Sequence, residues 1–308
     1  MSLAFIFPGQ GSQSVGMLKD LAAEFAEVEA TFKQASDVLG YDLWNVVQHG
    51  PAEKLNQTDI TQPAMLSAGV AVWRIWQAQG GAQPVMMAGH SLGEYTALVC
   101  AGTLDFTDAV KLVAERGRLM QAAVPAGEGA MAAILGLDDE LVNQACEEAA
   151  EGEVLSAVNF NSPGQVVVAG QKKAVERVLI VAKDKGAKRV LWLPVSVPSH
   201  CALMKPAAEK LEQILAKLEI REPAIPVINN VDVQAQTRAD DIRAALVKQL
   251  HSPVRWVESI RQLSADGVDN LIECGPGKVL ANLNKRIERS MTAQPVYDPA
   301  TLNSALEK

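Results

Sequence analysis

The hydrophobic pattern alternates between short apolar runs and longer amphipathic stretches. Apolar runs at 3–7, 85–88 and 270–273 predict short buried strands. Between them, apolar residues recur at helical spacing in the segments 17–39, 64–79, 104–123, 203–218 and 240–250. Strands that alternate with helices in this way are typical of an α/β fold with a parallel sheet.

The segment from 130 to 196 has a different order of elements. Its pattern predicts strands at 131–137, 154–160, 166–170 and 189–195, with helices at 138–151 and 172–185. This β-α-β-β-α-β order is the ferredoxin-like arrangement. We therefore expect two subdomains: a larger, α/β-hydrolase-like catalytic one formed by 1–126 and 197–308, and an inserted ferredoxin-like one at 127–196.

Five weaker patterns complete the predicted fold. Polar residues at 57–63 indicate a loop, and 225–231 reads as a short strand. Pro253 is expected in the first turn of a further helix, because proline is favoured there. The segment 270–273 reads as the last strand, and the chain after about residue 294 is expected to be loosely held.

Composition restricts the classes of function. The 308 residues are 48% hydrophobic and 21% charged, which is typical of a globular protein, and the net charge of −8 argues against nucleic acid as a partner. The four cysteines are scattered, which favours reduced thiols. No apolar run is long enough to span a bilayer, and no leader pattern precedes the first strand, so the sequence predicts a cytoplasmic protein.

A candidate nucleophile lies in the run Gly89-His90-Ser91-Leu92-Gly93, between a predicted strand and a predicted helix. This G-x-S-x-G context is that of a nucleophile elbow, in which glycines permit a tight turn and the serine becomes accessible. Its hydroxyl would stand at the amino end of the helix, beside free N–H groups. The alternative is an ordinary turn.

Arg116 is anomalous in the helix at 104–123. At 100° per residue it falls inside the apolar arc, whereas Lys111, Glu115 and Arg118 fall on the opposite face. A buried guanidinium needs a partner, because burial of an unpaired charge costs several kcal/mol. Two partners remain open: a carboxylate of the protein, or a carboxylate supplied by a substrate.

A serine nucleophile needs a base. Of the four histidines, His90 adjoins Ser91 but should point away from it, and His200 lies in a polar link after the predicted insert. His200 is the candidate base, with a plain surface histidine as the alternative. A main-chain carbonyl at a helix end, such as that of Gln249, could accept the other ring N–H; the alternative is an exposed helix end.

Several separate motifs resemble the acyltransferase family that is shared with fatty acid and polyketide synthases. They occur in order over nearly the whole chain, at 7–13 (FPGQGSQ), 61–64 (TQPA), 89–94 (GHSLGE), 114–117 (AERG), 159–170 (NFNSPGQVVVAG), 195–200 (VSVPSH), 229–232 (NNVD), 249–256 (QLHSPVRW) and 273–280 (ECGPGKVL).

The resemblance implies a role for each candidate. Ser91 would carry the acyl group, and His200 would act as general base and then as general acid, oriented by the main chain of Gln249. The N–H groups of Gln10 and Leu92 would form the oxyanion hole. Gln10, between two glycines, otherwise reads as part of a strand-to-helix loop. Arg116 would bind the free carboxylate of a malonyl group.

The resemblance also implies the reaction and its participants. Malonyl would move from malonyl-CoA to the phosphopantetheine thiol of acyl carrier protein, supplying fatty acid synthesis, in a monomer that needs no metal or other cofactor. The acidic partners would need a basic patch on this chain. Its candidates are the lysines and arginines at 185, 188, 189, 278, 285 and 286. The choice between malonyl and methylmalonyl, and between fatty acid and polyketide synthesis, stays open.

Three other classes compete with this hypothesis. A serine esterase of the α/β-hydrolase type would need an acid between serine and histidine and a glycine-rich oxyanion loop, and no such glycine run occurs. A patatin-like hydrolase would use an Asp-Gly pair, for which Asp266-Gly267 is the candidate. A non-catalytic scaffold would have little reason to keep Ser91, Arg116 and His200 together.

Overall fold

The structure, a computed structural model, describes residues 2–195 and 197–307. Within them the chain forms the strands β1 (Leu3–Phe7), β2 (Met86–Gly89), β3 (Gly129–Leu135), β4 (Leu155–Ser162), β5 (Gln165–Gln171), β6 (Arg189–Trp192), β7 (Val227–Ile228), β8 (Asn270–Cys274) and β9 (Thr292–Val296). The α-helices are α1 (Lys19–Glu24), α2 (Ala26–Leu39), α3 (Leu43–His49), α4 (Ala52–Leu55), α5 (Thr58–Ala78), α6 (Leu92–Cys100), α7 (Phe106–Ala123), α8 (Asp139–Ala150), α9 (Lys172–Asp184), α10 (Lys205–Leu215), α11 (Ala239–Gln249), α12 (Trp256–Ala265), α13 (Val279–Ile287) and α14 (Pro299–Leu306).

The larger sheet has five parallel strands in the order β7-β2-β1-β8-β9. The central strand β1 is apolar on both faces: Phe5 belongs to one helix-covered core and Ile6 to another. The chain moves outward from β1 through β2 to β7 and then continues on the other side of β1. The carboxyl ends of β1 and β8 therefore meet at a switch point, which is where sheets of this kind bind ligands.

The smaller sheet is antiparallel, with the order β4-β5-β3-β6. Helices α8 and α9 cover one of its faces and form a separate core with it. The other face carries a small cluster that includes Met131 and reaches Cys201 of the larger unit. The predicted α/β architecture, a parallel sheet with a separate βαββαβ unit, is confirmed. We propose 127–196 as the bounds of that unit, of which Ser196 lies outside the described residues.

The smaller unit is joined to the larger one along β4. The N–H of Val254 donates to the carbonyl of Val158 at 2.8 Å, and the N–H of Phe160 donates to the carbonyl of Val254 at 3.0 Å. Val254 is thereby held in extended conformation, so α12 begins only at Trp256. The prediction that Pro253 opens this helix is wrong for that reason.

The predicted loop at 57–63 is also wrong, because α5 already begins at Thr58 and contains Pro63. The polar composition suggested a loop, but Thr61 is buried and its hydroxyl donates to the main-chain carbonyls of Leu55 and Gln57. The predicted strand at 225–231 shortens to Val227–Ile228. The strand ends there because the chain turns at Asn229, whose Oδ1 accepts the N–H groups of Val231 and Asp232.

The chain after 294 is ordered, contrary to expectation. Residues 292–296 add the parallel strand β9 beside β8, so 270–274 is not the last strand. Helix α14 follows, with Asp298 as its N-cap in a capping box. Leu302 of α14 is 0% exposed within the main core. In residues 2–195 and 197–307, no helix combines the length and the hydrophobicity that crossing a membrane would require.

We expect Leu302→Ala to destabilise the fold by about 2–5 kcal/mol, because it removes a fully buried side chain and leaves a cavity. Ile180→Ala is the control, since Ile180 is 64% exposed on α9. Urea denaturation of the full chain would measure both variants. Equal midpoints would show that α14 contributes nothing to the core.

Candidate active site

Ser91 lies at the turn between β2 and α6, with a φ of 52° in the left-handed region that L-residues rarely adopt. The turn is possible because its glycines lack side chains. A Cβ on Gly89 would lie 1.9 Å from the carbonyl carbon of Gly93, and a Cβ on Gly93 would lie 2.0 Å from the main-chain oxygen of Phe7. The elbow predicted from the sequence is therefore present.

Asn230, just after β7, fixes the backbone on both sides of the serine. Its Oδ1 accepts the N–H of Ser91 at 2.7 Å, and its Nδ2 donates to the carbonyl of Gly89 at 2.6 Å. These partners determine which end of the amide is oxygen. The strained turn is thus held by hydrogen bonds from the turn that follows a neighbouring strand.

His200 contacts Ser91 directly. Its Nδ1 lies 2.7 Å from the main-chain oxygen of Gln249 at the end of α11, and its Nε2 lies 2.8 Å from Ser91 Oγ. A carbonyl can only accept, so Nδ1 carries the proton and Nε2 offers a lone pair to the serine hydroxyl. This arrangement can remove a proton from Ser91 without a carboxylate behind the histidine.

The environment of His200 favours a neutral ring. Burial and, secondly, the charge of Arg116 lower the pKa of His200 to about 3, although the hydrogen bond to Gln249 acts in the opposite direction. The imidazole is therefore in its basic form at neutral pH. His90, by contrast, is turned away from the serine as predicted, with Nε2 2.8 Å from Asn161 Oδ1.

Arg116 is 1% exposed, and no carboxylate of the described chain lies within 4 Å of it. Its two terminal nitrogens donate to amide oxygens: NH1 to Gln62 Oε1 at 2.9 Å and NH2 to Gln249 Oε1 at 3.0 Å. Its Nε has no acceptor among residues 2–195 and 197–307. A salt bridge within the protein, one of the two partners left open by the sequence, is therefore not formed.

Gln249 connects these groups through its side chain as well as its main chain. Its Nε2 donates to the carbonyl of Ser91 at 3.0 Å and to Glu94 Oε2 at 2.9 Å. Glu94, in the first turn of α6, also accepts the N–H of Asn230 at 2.9 Å. The result is a continuous buried network that joins the serine, the histidine and the arginine.

A cavity of about 110 Å³ lies over this network, and its lining includes all but one of the predicted site residues: Gln10, Ser91, Leu92, Arg116 and His200. Gln249 contacts the group from behind. In the described part of the chain, no acceptor is bound to the N–H of Gln10 or to that of Leu92, the first residue of α6. These two N–H groups therefore remain available as donors in residues that line the same cavity as Ser91.

A second cavity of about 520 Å³ adjoins the first, at the switch point of the larger sheet. The loop after β1 and the start of α13 form one side of it, and β4 and β5 of the smaller sheet form the other. Gln10, His90 and Asn159 line both cavities. An extended substrate could therefore reach Ser91 from between the two units.

Three side chains of the network were missed as individual residues in the sequence: Gln62, Glu94 and Asn230. Each lies within a motif that carried the family resemblance, TQPA, GHSLGE or NNVD. Hydrophobic periodicity could not identify them, since buried amides and carboxylates produce no helical or strand signal. Groups of three or more potential metal ligands are not found in the residues that the structure describes.

The chain is similar to known proteins over nearly its whole length. Residues 4–302 match the acyl transferase domain family. The chain is 62% identical to the malonyl CoA-acyl carrier protein transacylase of Escherichia coli K12 over 304 residues, which are 99% of this chain and 98% of that protein. The Bacillus subtilis protein of the same name is 46% identical over 306 residues, covering 99% and 96%.

Solved structures of related proteins are similar to this structure over 99–100% of the chain. A malonyl-transacylase in complex with a type II polyketide synthase acyl-carrier protein has a TM-score of 0.99 at 58% identity, covering 100% of this chain and 99% of that one. An acyl carrier protein S-malonyltransferase from Vibrio cholerae has a TM-score of 0.97 at 62% identity, covering 99% of each chain.

We expect the ring of His200 to stay neutral down to pH 5 in protein labelled with ¹⁵N-histidine and followed by NMR. Arg116→Met should raise the pKa of His200, because loss of a neighbouring positive charge makes the imidazolium less costly. Arg118→Met, on the exposed face of the same helix, is the control. A ring that titrates identically in all three proteins would contradict the proposed electrostatic effect of Arg116.

Proposed function

The chain belongs to the acyl transferase domain family, and we propose that it transfers the malonyl group from malonyl-CoA to the phosphopantetheine thiol of acyl carrier protein, for fatty acid synthesis. The observation that carries this proposal is the Ser91–His200 hydrogen bond in the same small cavity as a buried arginine that lacks a carboxylate partner. The names of the relatives support the same substrate and acceptor.

In the first half-reaction the malonyl carboxylate binds Arg116, which places the thioester carbonyl beside Ser91. His200 Nε2 takes the hydroxyl proton as Ser91 Oγ attacks that carbonyl. The N–H groups of Gln10 and Leu92 stabilise the oxyanion, at about 3–4 kcal/mol for each donor. When the C–S bond breaks, the CoA sulfur receives the proton from His200 and leaves as the thiol.

In the second half-reaction the carrier protein's thiol replaces CoA. His200 removes its proton, the sulfur attacks the malonyl-serine ester, and the same two N–H groups stabilise the second oxyanion. The C–O bond to Ser91 then breaks, and His200 returns the proton to Oγ. One site thus performs both transfers in a ping-pong sequence, using only side chains and main-chain groups of the protein and no cofactor.

The competing functions fit the site less well. An α/β-hydrolase would place an acid behind the histidine, whereas His200 contacts the main-chain carbonyl of Gln249. Asp266, the candidate for a patatin-like dyad, is exposed at the end of α12 and accepts from Gln262. A scaffold protein would not require the buried arginine. The proposed acyl transfer reaction uses Ser91, His200 and the buried Arg116.

The acidic carrier protein and CoA would approach the larger cavity between the two units. Arg286 of α13 donates to Gln165 and to the carbonyl of Pro163 across this gap, at 3.3 and 3.4 Å. Lys185 is paired with Glu148, so its charge is already partly compensated. We propose that the basic side chains of α13 contribute more to docking than Lys185, and that the enzyme acts as a monomer in the cytoplasm.

Ser91→Ala should abolish the malonyl adduct that forms when the enzyme is mixed with malonyl-CoA, because the attacking oxygen is lost. Intact-protein mass spectrometry measures this directly. Ser199→Ala is the matched control, since Ser199 lines the same cavity and its hydroxyl donates only to the carbonyl of Val197. An adduct retained in Ser91→Ala would assign the nucleophile to another residue.

Arg116→Ala should lower kcat/KM for malonyl-CoA roughly 30- to 1000-fold, because a buried ion pair with the substrate is lost. This factor corresponds to a loss of about 2–4 kcal/mol in transition-state stabilisation. The value for acetyl-CoA should change far less. Arg118→Ala, which breaks only an exposed pair with Glu115, is the control. If Arg116→Ala kept the discrimination of the wild type, the carboxylate site would have to lie elsewhere.

A further inference from the structure

We propose that Glu94 sets how strongly the site prefers a carboxylate-bearing acyl group, because it compensates the charge of Arg116 through the side-chain amide of Gln249 rather than by a direct ion pair. This inference rests on the proposed function, in which Arg116 binds the malonyl carboxylate. Glu94 does not line the cavity and touches no reacting atom; it acts through Gln249.

The geometry defines an unbroken relay. Arg116 NH2 donates to Gln249 Oε1 at 3.0 Å, and Gln249 Nε2 donates to Glu94 Oε2 at 2.9 Å. The cation fixes one end of the amide as oxygen and the carboxylate fixes the other as nitrogen, so the orientation of Gln249 is determined by its two charged neighbours. The amide lies between the two charges and keeps them apart.

This separation has a consequence for substrate binding. A carboxylate in direct contact with Arg116 would occupy the donors that a malonyl group needs, and the site would be self-inhibited. Without any counter-charge nearby, Arg116 would be an isolated buried cation, since it is only 1% exposed. An unpaired buried charge of this kind is energetically costly. With Glu94 one amide away, the cation is partly compensated while its Nε remains without an acceptor among the described residues.

Glu94 is suited to this role by its surroundings. It is 2% exposed, and burial raises its pKa to about 7, while the hydrogen bonds from Gln249 and Asn230 and then the charge of Arg116 oppose the rise. Asp232, which is paired with Lys248 at 2.7 Å, acts in the same direction as burial. Tyr95 lies beside the guanidinium, and burial raises its pKa to about 12, so it stays neutral.

The sign of the effect follows from these charges. Ionised Glu94 weakens the positive potential that a malonyl carboxylate meets at Arg116, whereas protonated Glu94 does not. The preference for malonyl over acetyl should therefore rise as the pH falls through the pKa of Glu94. The pH dependence of kcat/KM reports ionisations of the free enzyme and the free donor. His200 of the free enzyme and the CoA moiety are common to both reactions, so their titrations cancel in the ratio of the two kcat/KM values.

The experiment measures this ratio for serine acylation between pH 6 and 8, by single-turnover mass spectrometry with malonyl-CoA and acetyl-CoA. In the wild type the ratio should rise by about three- to tenfold from pH 8 to pH 6. Glu94→Gln should show a high ratio at both ends of the range, because its carbonyl can accept from the same two donors without a charge. Glu94→Asp should restore a pH-dependent ratio.

Glu273→Gln is the matched control. Glu273 is also a fully buried carboxylate with a pKa raised to about 7, and it accepts the N–H groups of Leu280 and Ala281 instead of contacting the relay. Its ratio should follow that of the wild type. A ratio that is flat with pH in the wild type, or that changes equally in Glu94→Gln and Glu273→Gln, would overturn the inference.

A second measurement does not depend on turnover. In ¹³C-glutamate-labelled protein, Arg116→Met should raise the pKa of Glu94, because the carboxylate loses a neighbouring cation. An unmoved titration would refute the coupling even in an enzyme that transfers malonyl. If the wild type forms no malonyl adduct but this coupling is found, the proposed function fails while the electrostatic link between Glu94 and Arg116 stands.

Discussion

The arrangement of the site depends on one residue, Gln249, and on the cost of leaving its partners unsatisfied. Its main chain holds the ring of His200, and its side chain joins Arg116 to Glu94 and to the carbonyl of Ser91. Gln249, His200, Arg116 and Glu94 are all buried, so the loss of a contact among them leaves a polar atom without water or protein. A network of this kind is stable in one geometry, which is what a catalytic site requires.

The parallel sheet makes this geometry reachable for residues that are far apart in the chain. Ser91 follows β2 and Asn230 follows β7, and since the two strands are paired in parallel their carboxyl ends meet at one edge. Both Ser91 and His200 have positive φ values, 52° and 65°. Ser91 is held by the side chain of Asn230, and His200 is held by the main-chain carbonyls of Gln249 and Leu250. Strain of this kind is common where reactive groups must be exposed.

The sequence was sufficient to identify the residues with an unusual local context. Ser91 was found because glycines surround it between a strand and a helix, and Arg116 because it interrupts an apolar arc. Glu94 and Asn230 had no such context, since their importance comes from partners more than 130 positions away. The start of α5 was missed for a related reason: Thr61 donates to the main chain just before the helix and Gln62 accepts from Arg116, and composition does not reveal such partners.

The same long-range electrostatics connect substrate binding to the chemistry. The charge of Arg116 contributes to the low pKa of His200. A malonyl carboxylate on Arg116 would cancel part of that charge, and the basicity of His200 would then rise at the moment when Ser91 must lose its proton. A neutral acyl group, or water alone, would leave the charge of Arg116 only partly compensated by Glu94, and His200 would remain a weaker base. Selectivity for a carboxylate and activation of the serine would thus arise from one buried cation, which explains why it is held by neutral amides and not by a carboxylate of the protein.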